Sequence, residues 1–456
     1  MPLTRRIPRT ALVLLAVALI LRLGFMAATP GYTPEHDDRG YDRLACGLVV
    51  GDGYTRAGPP MRPKACGDGP TGNPTAFRPP GFPMFLAAVY TVSEPLGIDR
   101  WQAARVAQAV LGTVVVALLG LVAWQLFGRR VALVAMALGA VFPPAIVLGG
   151  SLLTETLFSA LMLAAIAAAL ADRRAGGDRR WLVAAGVLCG LAFLTRSNAP
   201  ALMIPLLVAV AGTGERPRRG GASGRWSRSG PPPGAGAGDG AESVTTRIGR
   251  AAALAGIAAL VVAPWTIRNA VELDGFAPVS TEAGSALAGT YNDASRNDPR
   301  RPGAWRPPAR LRELRTTLDP VRRDEPAEQR ALLRWSLRYM AEHPGYVASL
   351  GARNLWRLSG LAGSDWWQFS GRTLSLPRWT ATFSAVGFLA YLALAVAGAF
   401  TAAARSAPRW LWLVPGLMLL SVVFVVGETR LRAPIDPFVV LLAALALTAW
   451  RPRSSK

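Results

Sequence analysis

The stretch Pro79-Pro80-Gly81-Phe82-Pro83-Met84-Phe85-Leu86-Ala87-Ala88-Val89-Tyr90-Thr91-Val92-Ser93-Glu94-Pro95-Leu96 decides how this chain is threaded. It is apolar enough to suggest a bilayer span, yet prolines crowd its first turn and Glu94-Pro95 interrupts its end. Proline removes a backbone donor and breaks a helix, so a juxtamembrane or re-entrant segment is expected. Apolar stretches that read as bilayer spans surround it, at 11–28, 101–127, 131–149, 153–171, 181–195, 199–213, 250–267, 382–404, 409–427 and 434–450. Basic residues flank these spans: Arg5, Arg6 and Arg9; Arg129 and Arg130; Arg173, Arg174, Arg179 and Arg180; the run from Arg216 to Arg250; Arg405 and Arg409; and Arg451, Arg453 and Lys456. The positive-inside rule places all of them in the cytoplasm only if 79–96 does not cross. A crossing there would invert everything from residue 101 onward. Ten full spans with both termini cytoplasmic are therefore expected, although the first external loop is itself basic (Arg39, Arg43, Arg56, Arg62, Lys64, Arg78).

The 456 residues are 51% hydrophobic and carry a formal net charge of +22, with mean hydropathy +0.29. Backbone groups in lipid must be satisfied within each span, so the fold class is all-α integral membrane. Arg5-Arg6-Ile7-Pro8-Arg9 before an apolar run resembles a signal-peptide start, but the run is long and further spans follow, which favours an uncleaved first helix. The basic excess sits at span ends and no nucleic-acid motif appears, so nucleic acid is not an expected partner. Lys64 and Lys456 are the only lysines, and that bias fits a GC-rich bacterial genome as well as any need for guanidinium chemistry. Cys46 and Cys66 fall in one expected external loop, where an oxidising compartment would allow a disulfide; pairing and free thiols both stay open. Cys189 reads as a small apolar residue inside a span, and no CxxC or HExxH pattern marks a structural zinc site.

The organisation follows. Residues 1–213 form an N-terminal transmembrane module with an external loop at 29–100. Residues 214–249 are a Gly/Pro/Arg linker that cannot bury a core. A span at 250–268 leads to an external insert of loops and helices at 269–381. Spans and a basic cytoplasmic tail complete 382–456. Within the insert a helix is expected over 326–342, with Leu332, Trp335, Leu337 and Met340 on its apolar face and His343-Pro344-Gly345 as its stop; a second follows at about 345–358. Trp366, Trp367 and Phe369 read as an interfacial aromatic belt. Arg22 and Arg105 lie toward the outer ends of their spans, where snorkelling is the favoured reading and lining the site the alternative. No internal repeat is evident.

The threading places one group of polar residues on the external face: Asp37, Asp38, Glu155, Arg196, Asn198, Arg268, Asn269, Glu428, Arg430 and Arg432. An Asp on an acceptor hydroxyl can serve as general base, and arginines can hold a phosphate bidentately and stabilise its charge as it leaves. Interfacial anchoring is the plainer account of such residues at span ends. Asp37 and Asp38 fit a helix N-cap as well as they fit a catalyst.

Several phrases resemble the GT-C superfamily of membrane glycosyltransferases. They are Asp37-x-x-x-Tyr41-x-x-Leu44-Ala45, Gly51-Asp52-Gly53-Tyr54 and Phe77-Arg78-Pro79-Pro80-Gly81-x-Pro83 in the first loop. Leu126-Phe127-Gly128-Arg129-Arg130, Leu152-Leu153-Thr154-Glu155, Leu194-Thr195-Arg196-Ser197-Asn198, Pro264-Trp265-Thr266-Ile267-Arg268-Asn269 and Glu428-Thr429-Arg430-Leu431-Arg432-Ala433-Pro434 follow in order. More narrowly they are similar to bacterial relatives of the protein O-mannosyltransferases and the lipid A aminoarabinose transferase. The resemblance implies an inverting glycosyltransferase of the bacterial cell membrane, with an external active site. It would move a sugar from a polyprenyl-phosphate donor to a lipid, glycan or protein acceptor, with or without a divalent metal ion. It implies Asp37 as base with Asp38 as the fallback, and Glu155, where the family usually has Asp, on metal or acceptor. Arg196, Arg268, Arg430 and Arg432 would bind the donor phosphate. His36, Asn198 and Asn292 are lesser candidates for acceptor or metal. A transporter or flippase of lipid-linked sugars is the alternative; internal repeats and polar mid-membrane helices would mark it, and neither is seen. A non-catalytic scaffold of envelope synthesis is a third class.

Overall fold

Apolar sequence becomes helix here wherever a cap or a turn lets it start. The computed structural model describes residues 8–56, 66–67, 72–212, 243–321 and 324–449. α1 (Arg9–Ala27) is followed by α2 (Asp37–Val50) and α3 (Gly81–Ser93). The bundle then continues through α4 (Arg100–Phe127), α5 (Arg129–Val141), α6 (Pro143–Leu148), α7 (Glu155–Arg174), α8 (Arg179–Phe193), α9 (Pro200–Ala211) and α10 (Val244–Glu272). The insert holds α11 (Glu282–Ala288), α12 (Asp293–Arg296), α13 (Arg315–Leu318), α14 (Glu325–Glu342), α15 (Pro344–Leu358) and α16 (Ser364–Gly371). The chain closes with α17 (Trp379–Ala399), α18 (Ala402–Ser406), α19 (Arg409–Val423) and α20 (Asp436–Ala449). The described residues contain no β-strand, only an isolated bridge between Thr55 and Pro74. The protein is all-α.

α1, α4, α7, α10 and α17 are long and apolar enough to cross a bilayer by length and composition. α5, α8, α9, α19 and α20 are shorter and occupy the other expected spans. The core runs through α7, whose Phe158, Met162, Ala165, Ile166 and Ala169 are fully enclosed by its neighbours. Gly128 (φ 87°) lies between α4 and α5 in the left-handed region, so the chain reverses there without a longer loop. α10 begins at Val244, capped by the Ser243 hydroxyl on the Thr246 N–H, inside the stretch expected to be linker. The linker residues before 243 lie outside the described residues.

The stretch 79–96 forms α3 and starts and ends at the same end of the bundle. Its Gly81 N–H donates to Leu194 O (2.6 Å) at the C-terminus of α8. At its other end Glu94 accepts from the Cys66 N–H (2.6 Å), and Cys66 is bonded to Cys46 of α2. Closing a loop of 20 residues restricts the unfolded chain by about 3 kcal/mol. Replacing Cys46 and Cys66 together with serine is expected to lower the melting temperature of the detergent-solubilised protein. Dithiothreitol should do the same to the wild type and nothing to the variant.

Three expectations need correction. Arg22 and Arg105 do not snorkel: both are buried, because their polar partners are backbone carbonyls, one within α1 itself and the others at neighbouring helix ends, rather than the water interface. Arg22 donates to Ala18 O (2.9 Å) and Ala140 O (3.2 Å), Arg105 to Gly150 O (2.8 Å) and Thr29 O (2.9 Å). Leu337 is exposed and off the packed face of α14, which buries Ala331, Leu332, Ser336 and Tyr339 and half-buries Trp335 and Met340. Trp366 is not a belt residue: it is buried, its indole donates to Gly427 O (3.0 Å) and the Arg357 guanidinium covers its ring at 3.8 Å.

Candidate active site

The neighbouring carboxylates at the start of α2 have separate jobs. Asp38 is fully buried, and its Oδ1 accepts from the backbone N–H groups of Glu35 (3.1 Å), His36 (2.8 Å) and Arg39 (2.9 Å). Its Oδ2 accepts from the Tyr32 hydroxyl (2.6 Å), which in turn accepts from the Leu152 N–H (3.0 Å). Every lone pair with a local donor is used, so Asp38 closes the turn that begins the helix. Asp37 points the other way. One of its oxygens pairs with Arg78 and the other with Arg430.

These two guanidiniums extend the cluster. Arg78 also donates to Glu282 Oε2 (2.8 Å) and lies 5.3 Å from the Tyr41 ring centre. Arg430 also pairs with Glu428 (2.9 Å). Beside them Arg196 donates to Glu155 Oε1 (2.9 Å) and to the Thr154 hydroxyl (2.8 Å). The Ser197 hydroxyl donates to Glu282. Burial works against a charged Asp37 carboxylate, yet Arg78 and Arg430 hold it well below the usual carboxylate range. Burial likewise opposes the Arg430 charge, while Asp37, Glu428 and Glu155 together raise that guanidinium above its ordinary value. Glu155 is therefore an electrostatic neighbour of the Asp37 site.

Gly81 makes the convergence of Arg78 and Arg196 possible. A Cβ there would sit 2.8 Å from Leu194 O and 2.8 Å from the Thr195 hydroxyl, so only glycine lets the segment after Arg78 lie on the segment before Arg196.

Of the expected site residues, the structure gathers Asp37, Glu155, Arg196 and Arg430. Asn198 is adjacent, bonded to Arg196 and to Ser421. The others stand apart. Arg268 spends its guanidinium on Thr75 O (2.8 Å) and Tyr54 O (3.1 Å). Arg432 is buried against Asp436 (3.1 Å), Leu358 O (2.9 Å) and the Phe388 ring. Asn292 caps α12 inside the insert. His36 is exposed and contributes its backbone N–H to Asp38. Sequence reasoning passed over Arg78, although the Phe77-Arg78-Pro79-Pro80 phrase contained the signal. Glu282 carried none.

A resident divalent cation does not fit these residues as they stand. Both oxygens of Asp37 and Oε1 of Glu155 are taken by guanidiniums. Among the described residues the one group of three ligating side chains is Cys46, Cys66 and Glu94, whose sulfurs are bonded to each other.

Residues 78–221 match the family model described as dolichyl-phosphate-mannose-protein mannosyltransferase. The matched region opens at Arg78 and runs through α9. Among solved structures, the chain is similar to the oligosaccharyltransferase AglB of Archaeoglobus fulgidus in complex with an inhibitory peptide and a dolichol-phosphate. The TM-score is 0.54 at 14% identity, over 96% of this chain and 50% of that one. The chain shares the fold of that structure. The same AglB with zinc and sulfate gives a TM-score of 0.53 at 15% identity, over 96% and 49% of the two chains. ArnT of Cupriavidus metallidurans bound to undecaprenyl phosphate gives 0.41 at 14% identity, over 96% and 77%. The chain thus spans about half the length of the AglB chains it matches. No curated protein sequence matches it. Within this bundle, the Asp37 cluster lies at the end where α4, α7 and α20 begin and α1, α8 and α10 finish. The Arg129, Arg173, Arg179, Arg250 and Arg409 positions lie at the opposite end.

Proposed function

We propose that this protein is a glycosyltransferase that moves a sugar from a polyprenyl-phosphate donor to a hydroxyl acceptor of the cell envelope at the external face of the membrane. The carrying observation is the bracketing of Asp37 by Arg78 and Arg430, with the Arg196–Glu155 pair alongside. The family description names a dolichyl-phosphate sugar and AglB was solved with dolichol-phosphate, which supports a lipid-linked phosphate donor.

The chemistry is an exchange of anions. At rest both oxygens of Asp37 are neutralised, and a carboxylate so stabilised is a weak base. A donor phosphate offers the guanidiniums more acceptor oxygens than one carboxylate does. As Arg78 and Arg430 turn to the phosphate, Asp37 is released and its proton affinity rises. It then accepts the proton of the acceptor hydroxyl while that oxygen bonds to the anomeric carbon. The bond from the anomeric carbon to the phosphate oxygen breaks, and the phosphate departs with the electron pair under the arginines. Attack from the face opposite the leaving group inverts the anomeric centre. Glu155 is proposed to orient the acceptor, and Arg196 to complete the phosphate site.

The test uses membranes from overexpressing and deletion strains, supplied with radiolabelled polyprenyl-phosphate sugars. Label should enter an envelope acceptor in proportion to the protein. Donor that crosses proteoliposome membranes with no acceptor present, and with no sugar transferred, would establish a flippase instead.

A further inference from the structure

The insert contributes no guanidinium to the Asp37 cluster, yet it holds the segments that do. Glu325 opens α14. Its Oε1 accepts from the Ala76 N–H (2.9 Å) and the Thr281 hydroxyl (2.6 Å), and its Oε2 accepts from the Thr75 hydroxyl (2.6 Å). The Thr281 N–H donates to Ala76 O (2.9 Å), so one carboxylate caps a junction between two distant segments. Each segment delivers a charged partner within a few residues. Arg78 follows Ala76, and Glu282 follows Thr281; these two side chains pair directly at 2.8 Å. Arg268 holds the start of the Arg78 segment through Thr75 O and also binds Tyr54 O.

The insert treats the opposite flank of Asp37 in the same manner. Asn354 donates to Val423 O (3.0 Å), Tyr291 to Phe424 O (2.7 Å), Thr290 to Val425 O (2.9 Å) and Trp366 to Gly427 O (3.0 Å). The Ser370 hydroxyl accepts from the Thr429 N–H (2.8 Å). This series of captures ends one residue before Arg430.

We propose that Glu325 is a positioning residue that sets the Arg78–Glu282 pair against Asp37, making the insert part of the donor-phosphate site without supplying a phosphate ligand. The inference rests on the phosphate-binding reading above. Its physical basis is that Thr75–Pro80 has no helix or strand ladder of its own, so its path is set by Glu325 and Arg268 at its start and by the Tyr54 hydroxyl, which donates to Arg78 O (2.9 Å) and Pro79 O (3.2 Å), at its end. Bonds to an ionised acceptor are the stronger kind, and a misplacement of about 1 Å at a reacting centre can cost ~10²-fold in rate.

The experiment measures binding of undecaprenyl phosphate to the full chain in nanodiscs. Glu325→Ala should raise the Kd about tenfold, as loss of a charge-assisted hydrogen bond would. Glu325→Gln should recover most of the affinity, because its amide oxygen still accepts from Ala76 N–H and its NH2 can donate to a threonine hydroxyl. In an Arg78→Ala background Glu325→Ala should add nothing, since a residue acting through Arg78 has no further effect once Arg78 is gone. If Glu325→Ala unfolds the protein, Thr75→Val with Thr281→Val removes two of the bonds without touching α14 and should show the same dependence on Arg78. Wild-type affinity in Glu325→Ala, or additive losses with Arg78→Ala, would overturn the proposal. Failure of the wild type to bind would instead sink the phosphate-binding reading itself.

Discussion

Asp37→Asn is expected to lower sugar transfer ~10²–10⁴-fold, the usual contribution of a positioned general base, with protein abundance in the membrane unchanged. The substitution keeps the size of the side chain and one acceptor oxygen, so one guanidinium retains a partner. It removes the charge and with it the capacity to take a proton. Asp37 is partly exposed, at 29% of its side-chain surface, so the loss of pairing is cushioned by water. Asp38→Asn should behave oppositely. Asp38 accepts four hydrogen bonds in the buried turn, and the amide nitrogen cannot accept, so stability falls before chemistry does. Undiminished transfer by Asp37→Asn would remove it as the base.

The direction of pH dependence follows from the same pairing. Asp37 has a depressed pKa, so its stabilising contribution is complete above the unfolded carboxylate value of about 3.9 and is lost as pH falls through the depressed folded value. The resting site is thus insensitive to pH near neutrality. An acid limb in the transfer rate would report Asp37 after the arginines have moved to phosphate, when its pKa has risen.

Asp42→Ala carries the largest expected effect on stability, a loss of about 3–5 kcal/mol. Asp42 and Arg100 are both buried and pair at 3.0 Å. The same carboxylate accepts from the Tyr90 hydroxyl (2.9 Å) and the Trp101 indole (3.0 Å). One side chain therefore joins α2 to α3 and α4. Removing it takes the carboxylate partner from a buried guanidinium, and total stabilities of 5–15 kcal/mol leave little reserve. The measurement is the melting temperature of detergent-solubilised protein, with membrane abundance as a second readout. Because α2 also presents Asp37, folded survivors should transfer sugar poorly. An unchanged melting temperature would show that the pair is dispensable.

Several parts of this arrangement were legible in sequence. Prolines 79, 80 and 83 and the Glu94-Pro95 break announced a helix too interrupted to run the length of the bundle. The phrases around Asp37, Glu155, Arg196 and Arg430 all reached the site. Arg268 and Arg432 carried equally good phrases, yet their guanidiniums bind carbonyls or Asp436 rather than joining Asp37. A phrase records that an arginine is needed at a span end, not which oxygen it meets there. Arg22 and Arg105 show the same limit: an arginine near a span end reads as reaching for water until the exposed carbonyls beside it are known.

What the sequence alone determined is the all-helical membrane architecture and the grouping of basic span ends. Hydropathy, proline and flanking charge act over one or two turns of chain, so they can be read along a line. Tertiary structure alone decided that Asp37 faces the arginines while Asp38 closes a turn, and that Arg78 and Glu282 belong to the site. The pairing of Asp37 with Arg430 joins positions 393 residues apart. Its formation depends on where α2, the Arg78 segment and the turn before α20 are held by their neighbours, and no local pattern encodes that distance.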